Sequence, residues 1–294
     1  MGLLLGLTGA VCWGVAAFCA RSVARGLGAY RTLFFMQFFG VVILSAFLAF
    51  QGGFTRGVAP GWKPWAFAAL AGALNAGASL ALYYSFQVGA MSIVTPVSSC
   101  YPGLTVALAL LSGERIHMLR GAGLAVVLIG VILAGTSFAA NAGRAASRDK
   151  HSWQGHVSKG IGWAILAAAG FGVLFWFLGF YVVPLAGATV SVWVMRFSTF
   201  ATLALVAAPA GQSLRLPQGS VWWLIAAVAL MDSTAFIANN AGLHTGQVSL
   251  VSVLSSLYAG VTVLLSWIFL RERLEGSQWL GIALLFAGIV LVSR

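Results

Sequence analysis

Uncharged apolar runs of about twenty residues follow one another along this chain, and each is long enough to cross the ~30 Å hydrocarbon core of a bilayer as a helix. In that setting every backbone polar group must find its partner inside the segment. The runs lie near residues 3–23, 30–50, 62–88, 91–112 and 118–138, then 159–182, 187–209, 219–243, 247–269 and 276–293. Only 16 Lys or Arg and 5 Asp or Glu occur in 294 residues, 61% of which are hydrophobic. That composition excludes a water-soluble globule and a disordered chain. The expected fold is an all-α integral membrane protein with ten transmembrane helices. The first run has no basic residue ahead of it and exceeds the apolar core of a signal peptide, so it is expected to be a retained first helix.

The runs fall into two sets of five that are copies of each other. Ser98-Ser99-Cys100-Tyr101-Pro102-Gly103-Leu104-Thr105-Val106 aligns with Ser255-Ser256-Leu257-Tyr258-Ala259-Gly260-Val261-Thr262-Val263 at an offset of 157. Gly113-Glu114-Arg115 aligns with Arg271-Glu272-Arg273 at 158, as do Gly123 and Gly130 with Gly281 and Gly288. Trp13-Gly14-Val15 matches Phe171-Gly172-Val173, and Met36-Gln37-Phe38 matches Met195-Arg196-Phe197. A nearly constant offset along the whole chain marks an internal duplication. The expected organisation is one five-helix repeat over 1–138, a polar linker over 139–158 and a second repeat over 159–294. Five is odd, so the second copy enters the membrane the other way up, and the ten helices form two inverted five-helix repeats. Such repeats place a site near mid-membrane and support two conformations open to opposite sides, which is the geometry of a carrier.

The net charge of +11 is spread over the ends of apolar runs rather than gathered on one solvated face. Juxtamembrane anchors that meet anionic lipid have that distribution, so membrane lipid is the expected partner and nucleic acid is not. Ten basic residues flank the odd-numbered loops (Arg21, Arg25, Arg31, Arg144, Arg148, Lys150, Lys159, Arg215, Arg271 and Arg273). Five flank the face that carries both termini (Arg56, Lys63, Arg115, Arg120 and Arg294). Taken literally, the positive-inside rule puts the termini outside.

The paired fourth helices ending in Gly113-Glu114-Arg115 and Arg271-Glu272-Arg273, each followed by an apolar helix with Gly123-x6-Gly130 or Gly281-x6-Gly288, resemble the drug/metabolite transporter superfamily in its ten-helix EamA branch. The resemblance covers essentially the whole chain. Within that branch the aromatic-rich halves look most like aromatic amino acid exporters of the YddG type. The resemblance implies both termini in the cytoplasm, against the charge count, so both orientations stay open.

Ionisable groups inside a span are costly and are functional candidates by default. Asp232 lies near the middle of the eighth span and Arg196 within the seventh. Either the two pair with each other, or Arg196 snorkels to an interface, or Asp232 takes a substrate ammonium or a coupling proton. Helical spacing extends the Asp232 face through Phe236, Asn239 and Asn240, and the third span carries Asn75, Ser79, Tyr83 and Phe86 in the same way. These stripes line a cavity or join helices to each other. Ser98, Tyr101 and Thr105 share a face of the fourth span, and Ser255, Tyr258 and Thr262 share one of the ninth. Pro102 frees the carbonyl of Ser98 and is expected to open the fourth helix, whereas Ala259 in the second copy is not. Trp13, Trp163 and Trp176 lie deep in the first and sixth spans, where they would flank an apolar cavity.

The candidate substrate-binding residues are therefore Trp13, Asn75, Ser79, Tyr83, Ser98, Tyr101, Trp163, Asp232, Asn239, Asn240, Ser255 and Tyr258. Spans 1, 3, 4, 6, 8 and 9 should surround the cavity, with spans 5 and 10 at the periphery. The first span has no carboxylate, which argues against proton-coupled export of polyaromatic cations. No basic pair is available to clamp a phosphate. HExxH, GxSxG and paired carboxylates are all missing, so the chain is not expected to be an enzyme. No cofactor or metal is expected; His117 and His244 sit near span ends, and Cys12, Cys19 and Cys100 lack metal-ligand spacing. The expected function is export of small neutral or zwitterionic metabolites, amino acids first, by alternating access. The expected setting is a bacterial inner membrane, as monomer or homodimer. Other drug or metabolite cargo, a channel and a non-transporting receptor or scaffold are the alternatives.

Overall fold

The computed structural model describes residues 1–50, 53, 58–88, 94, 97–130, 133, 150–217, 219–245, 247–270 and 276–293. Among them there is no strand. The helices are α1 (Gly2–Leu27), α2 (Ala29–Phe50), α3 (Lys63–Val88), α4 (Tyr101–Leu111) and α5 (Met118–Gly130). There follow α6 (Lys150–Phe177), α7 (Ala188–Ala207), α8 (Val221–Leu243), α9 (Val248–Ser255), α10 (Tyr258–Leu270) and α11 (Gly276–Ser293). α1, α2, α3, α7, α8 and the stretch Gly160–Ala186 that begins in α6 are each long and apolar enough to cross a membrane. Tyr101–Leu111, Met118–Gly130 and Val248–Thr262 are shorter apolar helical stretches.

The second part of the stretch expected to be a linker, from Lys150, is already helical and leads into α6 without a break. Arg144, Arg148 and Asp149 lie outside the described residues, as do Arg271, Glu272 and Arg273. Beyond Phe177 the helix widens into a π-turn over Leu178–Val182 and closes with Val183–Ala186. Pro184 has no N–H to return to the preceding turn, and the wider turn absorbs that loss. Gly28 and Gly187 end the first helix of each set at φ 90° and 70°, a left-handed backbone that a side chain resists, so the next helix begins after a single residue.

Contacts fix the direction of each helix against its neighbours. α2 and α7 are antiparallel, because the Tyr30 hydroxyl donates to the Leu203 carbonyl, Arg196 meets Gln37, and Trp193 donates to Ser45. α1 runs antiparallel to α8: the backbone at Gly2 faces Gln247, Gly9 faces Ala235 and Asn239, and Trp13 reaches Asp232. It runs parallel to α9 and α10, with Gly2 against Val251, Gly6 against Leu254 and Gly14 against Val261. α6 repeats both relationships on the other side. It is antiparallel to α3, where Gly170 meets Ala78 and Trp163 meets Tyr84, and parallel to α4, where Gly172 meets Leu104 and Trp176 donates to Ser112.

Glycine makes these crossings possible. A Cβ on Gly14 would stand 2.5 Å from the Val261 side chain, and one on Gly172 would stand 2.8 Å from that of Leu104. At the same crossings Thr262 donates to the Gly14 carbonyl at 3.3 Å and Thr105 to the Gly172 carbonyl at 3.0 Å. Without a hydrophobic drive between helices in lipid, close backbone approach and such hydrogen bonds carry the association. α5 meets α11 in the same manner, with Gly288 against Val127 and the Gly123 carbonyl.

One expectation is corrected. The helix is interrupted at Ser99–Cys100, just ahead of Pro102, but it is interrupted equally at Ser256–Leu257, where the chain has Ala259 in place of proline. The physical cause is the serine pair that both copies share rather than the proline. Ser256 turns its hydroxyl back to the Val253 carbonyl at 2.7 Å, where it competes with the helical ladder, and Ser255 donates to Asn239 on α8 at 2.7 Å.

Candidate functional site

A cavity of about 740 Å³, mouth included, lies between α1, α2, α3, α4, α6, α8 and α10. Its lining steps along α1 from Trp13 to Ala20, along α3 from Asn75 to Phe86, and back along α8 from Phe236 to Val228. Because α1 and α8 are antiparallel, those progressions lead toward the end of the bundle where α1 turns into α2. At the opposite end the first turns of α1 are pressed against α9: a Cβ on Gly6 would stand 2.8 Å from Leu254.

Aromatic rings form the deep wall. Trp13 stands edge-on to Phe236 at 5.0 Å and to Phe175 at 5.5 Å, and Tyr101 lies 5.0 Å from Phe175. Tyr101 donates across the bundle to the Ser252 carbonyl at 3.3 Å, and the Tyr258 hydroxyl lies 3.5 Å from that of Ser98. These bonds satisfy the phenols and leave the ring faces to the cavity.

Asp232 supplies the charge on the wall. One carboxylate oxygen accepts from Trp13 Nε1 at 2.9 Å and the other from Arg196 Nη2. Arg196 is 1% exposed and Asp232 14%. The guanidinium thus lies behind the wall and the carboxylate in it. Arg196 also donates through Nη1 to Gln37 Oε1 at 2.9 Å and packs over the Phe236 ring at 5.6 Å. Gly40 provides its room: a Cβ there would stand 2.8 Å from Nη1. Of the readings open from sequence, the pairing of Arg196 with Asp232 is present, and Arg196 does not snorkel to an interface. It leaves the carboxylate with unused lone pairs, since a carboxylate accepts about four hydrogen bonds.

Trp13, Asn75, Ser79, Tyr83, Tyr101, Asp232 and Tyr258 line this space. Asn75 donates to Thr199 at 3.1 Å and accepts from Ser79 at 3.4 Å, while Tyr83 donates to the Met36 sulfur at 3.2 Å. The other five candidates lie off the wall. Ser98 stands behind Tyr258, Asn239 accepts from Ser255, and Asn240 donates to Ser191 at 3.0 Å. Trp163 is 43% exposed at the bundle surface beside Tyr84. Sequence reasoning passed over Gln37, Phe171 and Phe175 as wall residues. The signal for Gln37 was available, since the duplication aligns it with Arg196.

A profile of the EamA-like transporter family matches residues 1–136 and again residues 158–294. The chain belongs to the EamA-like transporter family. It is thus a multi-pass membrane transporter of the drug/metabolite type. An uncharacterized protein of Methanocaldococcus jannaschii is 30% identical over 132 residues, which cover 45% of this chain and 93% of that protein. A crystal structure of a protein with 20% sequence identity superposes with a TM-score of 0.75, covering 99% of this EamA-like chain and 96% of its own. That likeness concerns the fold alone.

Proposed function

We propose that this EamA-like protein exports small zwitterionic metabolites, amino acids with aromatic or other apolar side chains, by alternating access between two inverted five-helix repeats. The observation that carries the reading is the Arg196–Asp232 pair set in an aromatic wall. Asp232 offers a carboxylate to a substrate ammonium, and Arg196 behind it keeps the wall's net charge at zero, which suits a solute that carries both charges. Ring faces from Trp13, Phe175 and Phe236 suit a flat or branched apolar side chain. Of the twelve candidate residues, the seven on the wall are proposed to act by contact and the other five by holding the wall helices in place.

Several facts support the repeat arrangement over 1–138 and 159–294. Helices at matching places run antiparallel where they meet, as α2 and α7 do, and the α1 crossings with α8 and α10 are repeated by α6 with α3 and α4. The half-length relative and the twofold match to one family profile agree with a five-helix unit used twice. The test is counterflow into proteoliposomes at a plasma-membrane-like lipid composition. Saturable uptake of labelled phenylalanine or leucine is expected. Binding without flux would favour a receptor, unsaturable flux would favour a channel, and saturable flux of other solutes alone would move the cargo outside amino acids.

A further inference from the structure

Arg196 touches two wall residues with one guanidinium, and that has a consequence for the second of them. An arginine has donors only, so the Gln37 amide must turn its oxygen to Nη1. Its NH2 group is thereby sent to the other side. Gln37 is 1% exposed and lines the cavity, and among the described residues its amide nitrogen donates to nothing. A donor on a cavity-lining side chain that no protein group takes up is available to a ligand that enters the cavity. Beside it, on the same guanidinium fork, stands the Asp232 carboxylate with acceptor positions left over. Nη1 and Nη2 belong to one planar group, so the Gln37 amide and the Asp232 carboxylate are held side by side by their oxygens on one fork.

We propose that Gln37 and Asp232 together form the headgroup site for an α-amino acid zwitterion, the ammonium donating to Asp232 and the carboxylate accepting from the Gln37 amide. Arg196 acts as a positioning residue: it fixes the Gln37 amide orientation, orients Asp232, and lends positive potential behind the substrate carboxylate without reaching the cavity itself. The side chain of the substrate then lies against Trp13, Phe175 and Phe236. This inference rests on the amino acid reading and assigns it a specificity: both ends of the zwitterion are read, by different residues. An amine meets only Asp232, and an N-acylated or deaminated acid meets only Gln37.

The test is competition in proteoliposome counterflow, using whichever of labelled phenylalanine or leucine the wild type carries. The competitors are the matching amine, the matching N-acetyl amino acid and the unlabelled amino acid. In the wild type the amino acid is expected to compete ~10-fold or more better than either analogue, because a site that hydrogen-bonds a group rejects the analogue lacking it. Gln37→Leu, and the near-isosteric Gln37→Glu as a variant that keeps the volume, should each raise the KM for the amino acid while leaving the amine's competition unchanged or improved. Asp232→Asn should do the reverse, favouring the N-acetyl compound. Arg196→Lys, which cannot hold both partners in one fork, should shrink both preferences together. If the wild type takes amine and amino acid equally, or if the Gln37 variants weaken both competitors by the same factor, the headgroup assignment is overturned while the amino acid reading stands. If no amino acid is carried but another solute is, both are overturned.

Discussion

Arg196 and Gln37, 159 residues apart at matching places in the two halves, touch through a hydrogen bond of 2.9 Å. The duplication put a neutral amide on α2 where α7 has a guanidinium, and Asn75 on α3 where α8 has Asp232. At these matching places charge lies in one half only, and it is present as a pair.

Removing one member of that pair should cost far more than removing both. Arg196→Met leaves a carboxylate in the wall without its counter-ion, a change expected to cost about 3–5 kcal/mol of stability. Arg196→Met combined with Asp232→Leu should recover most of the loss. Thermal unfolding in detergent, taken as a double-mutant cycle, measures the coupling; additive losses would mean the two groups act independently.

The glycine crossings predict which glycines tolerate a methyl group. Gly14→Ala and Gly172→Ala should each destabilise by about 1–3 kcal/mol, because the new Cβ meets Val261 or Leu104 within 2.8 Å. Gly77→Ala and Gly103→Ala meet nothing within 4 Å and should stabilise by about 0.5–1 kcal/mol through lost backbone entropy in the unfolded chain. Midpoints of thermal unfolding for the four variants decide the matter.

Thr105→Val and Thr262→Val remove hydroxyls that reach the carbonyls of Gly172 and Gly14, each shared with the carbonyl four residues back in its own helix. Each should cost about 0.6–1.5 kcal/mol, and the double variant should lose the sum of the two. A marked difference between them would show that the two crossings are not energetically alike.

Glu114 follows α4, and its carboxylate accepts from the Ser249 backbone N–H at 3.2 Å and from the Ser249 hydroxyl at 3.0 Å, capping α9. Burial pushes this carboxyl above its ordinary value, and the Ser249 bonds hold it down only in part. The folded chain therefore holds the proton to higher pH than the unfolded one. The stability it contributes is present below the ordinary carboxylate value and is lost as pH rises through the raised one. Glu114→Gln should flatten that slope in a series of unfolding midpoints against pH.

Much of this could be seen in the residues alone. Long uncharged runs mark spans because lipid leaves the backbone no other solution, and Asp232 and Arg196 stand out because charge inside a span is rare. The wall was harder to see. Phe171 and Phe175 carry no mark that separates a ring facing a cavity from one facing lipid, and Trp163, chosen by depth in its helix, lies at the bundle surface. Asn239 and Asn240 share a stripe with Asp232 by spacing, yet adjacent residues on a helix point about 100° apart, and these two found Ser255 and Ser191 instead. The Ser256–Leu257 interruption was missed because proline is a louder signal than a pair of serines.

The meeting of Gly14 with Thr262 and Val261 joins parts of the chain 248 residues apart. α1 is made well before its partners α8, α9 and α10. A chain stopped short of α9 leaves Gly6 without Leu254 and Gly14 without Val261. Helices made late are thus the ones that lock α1 in place, and α1 stays without its closest neighbours until α9 and α10 have been made.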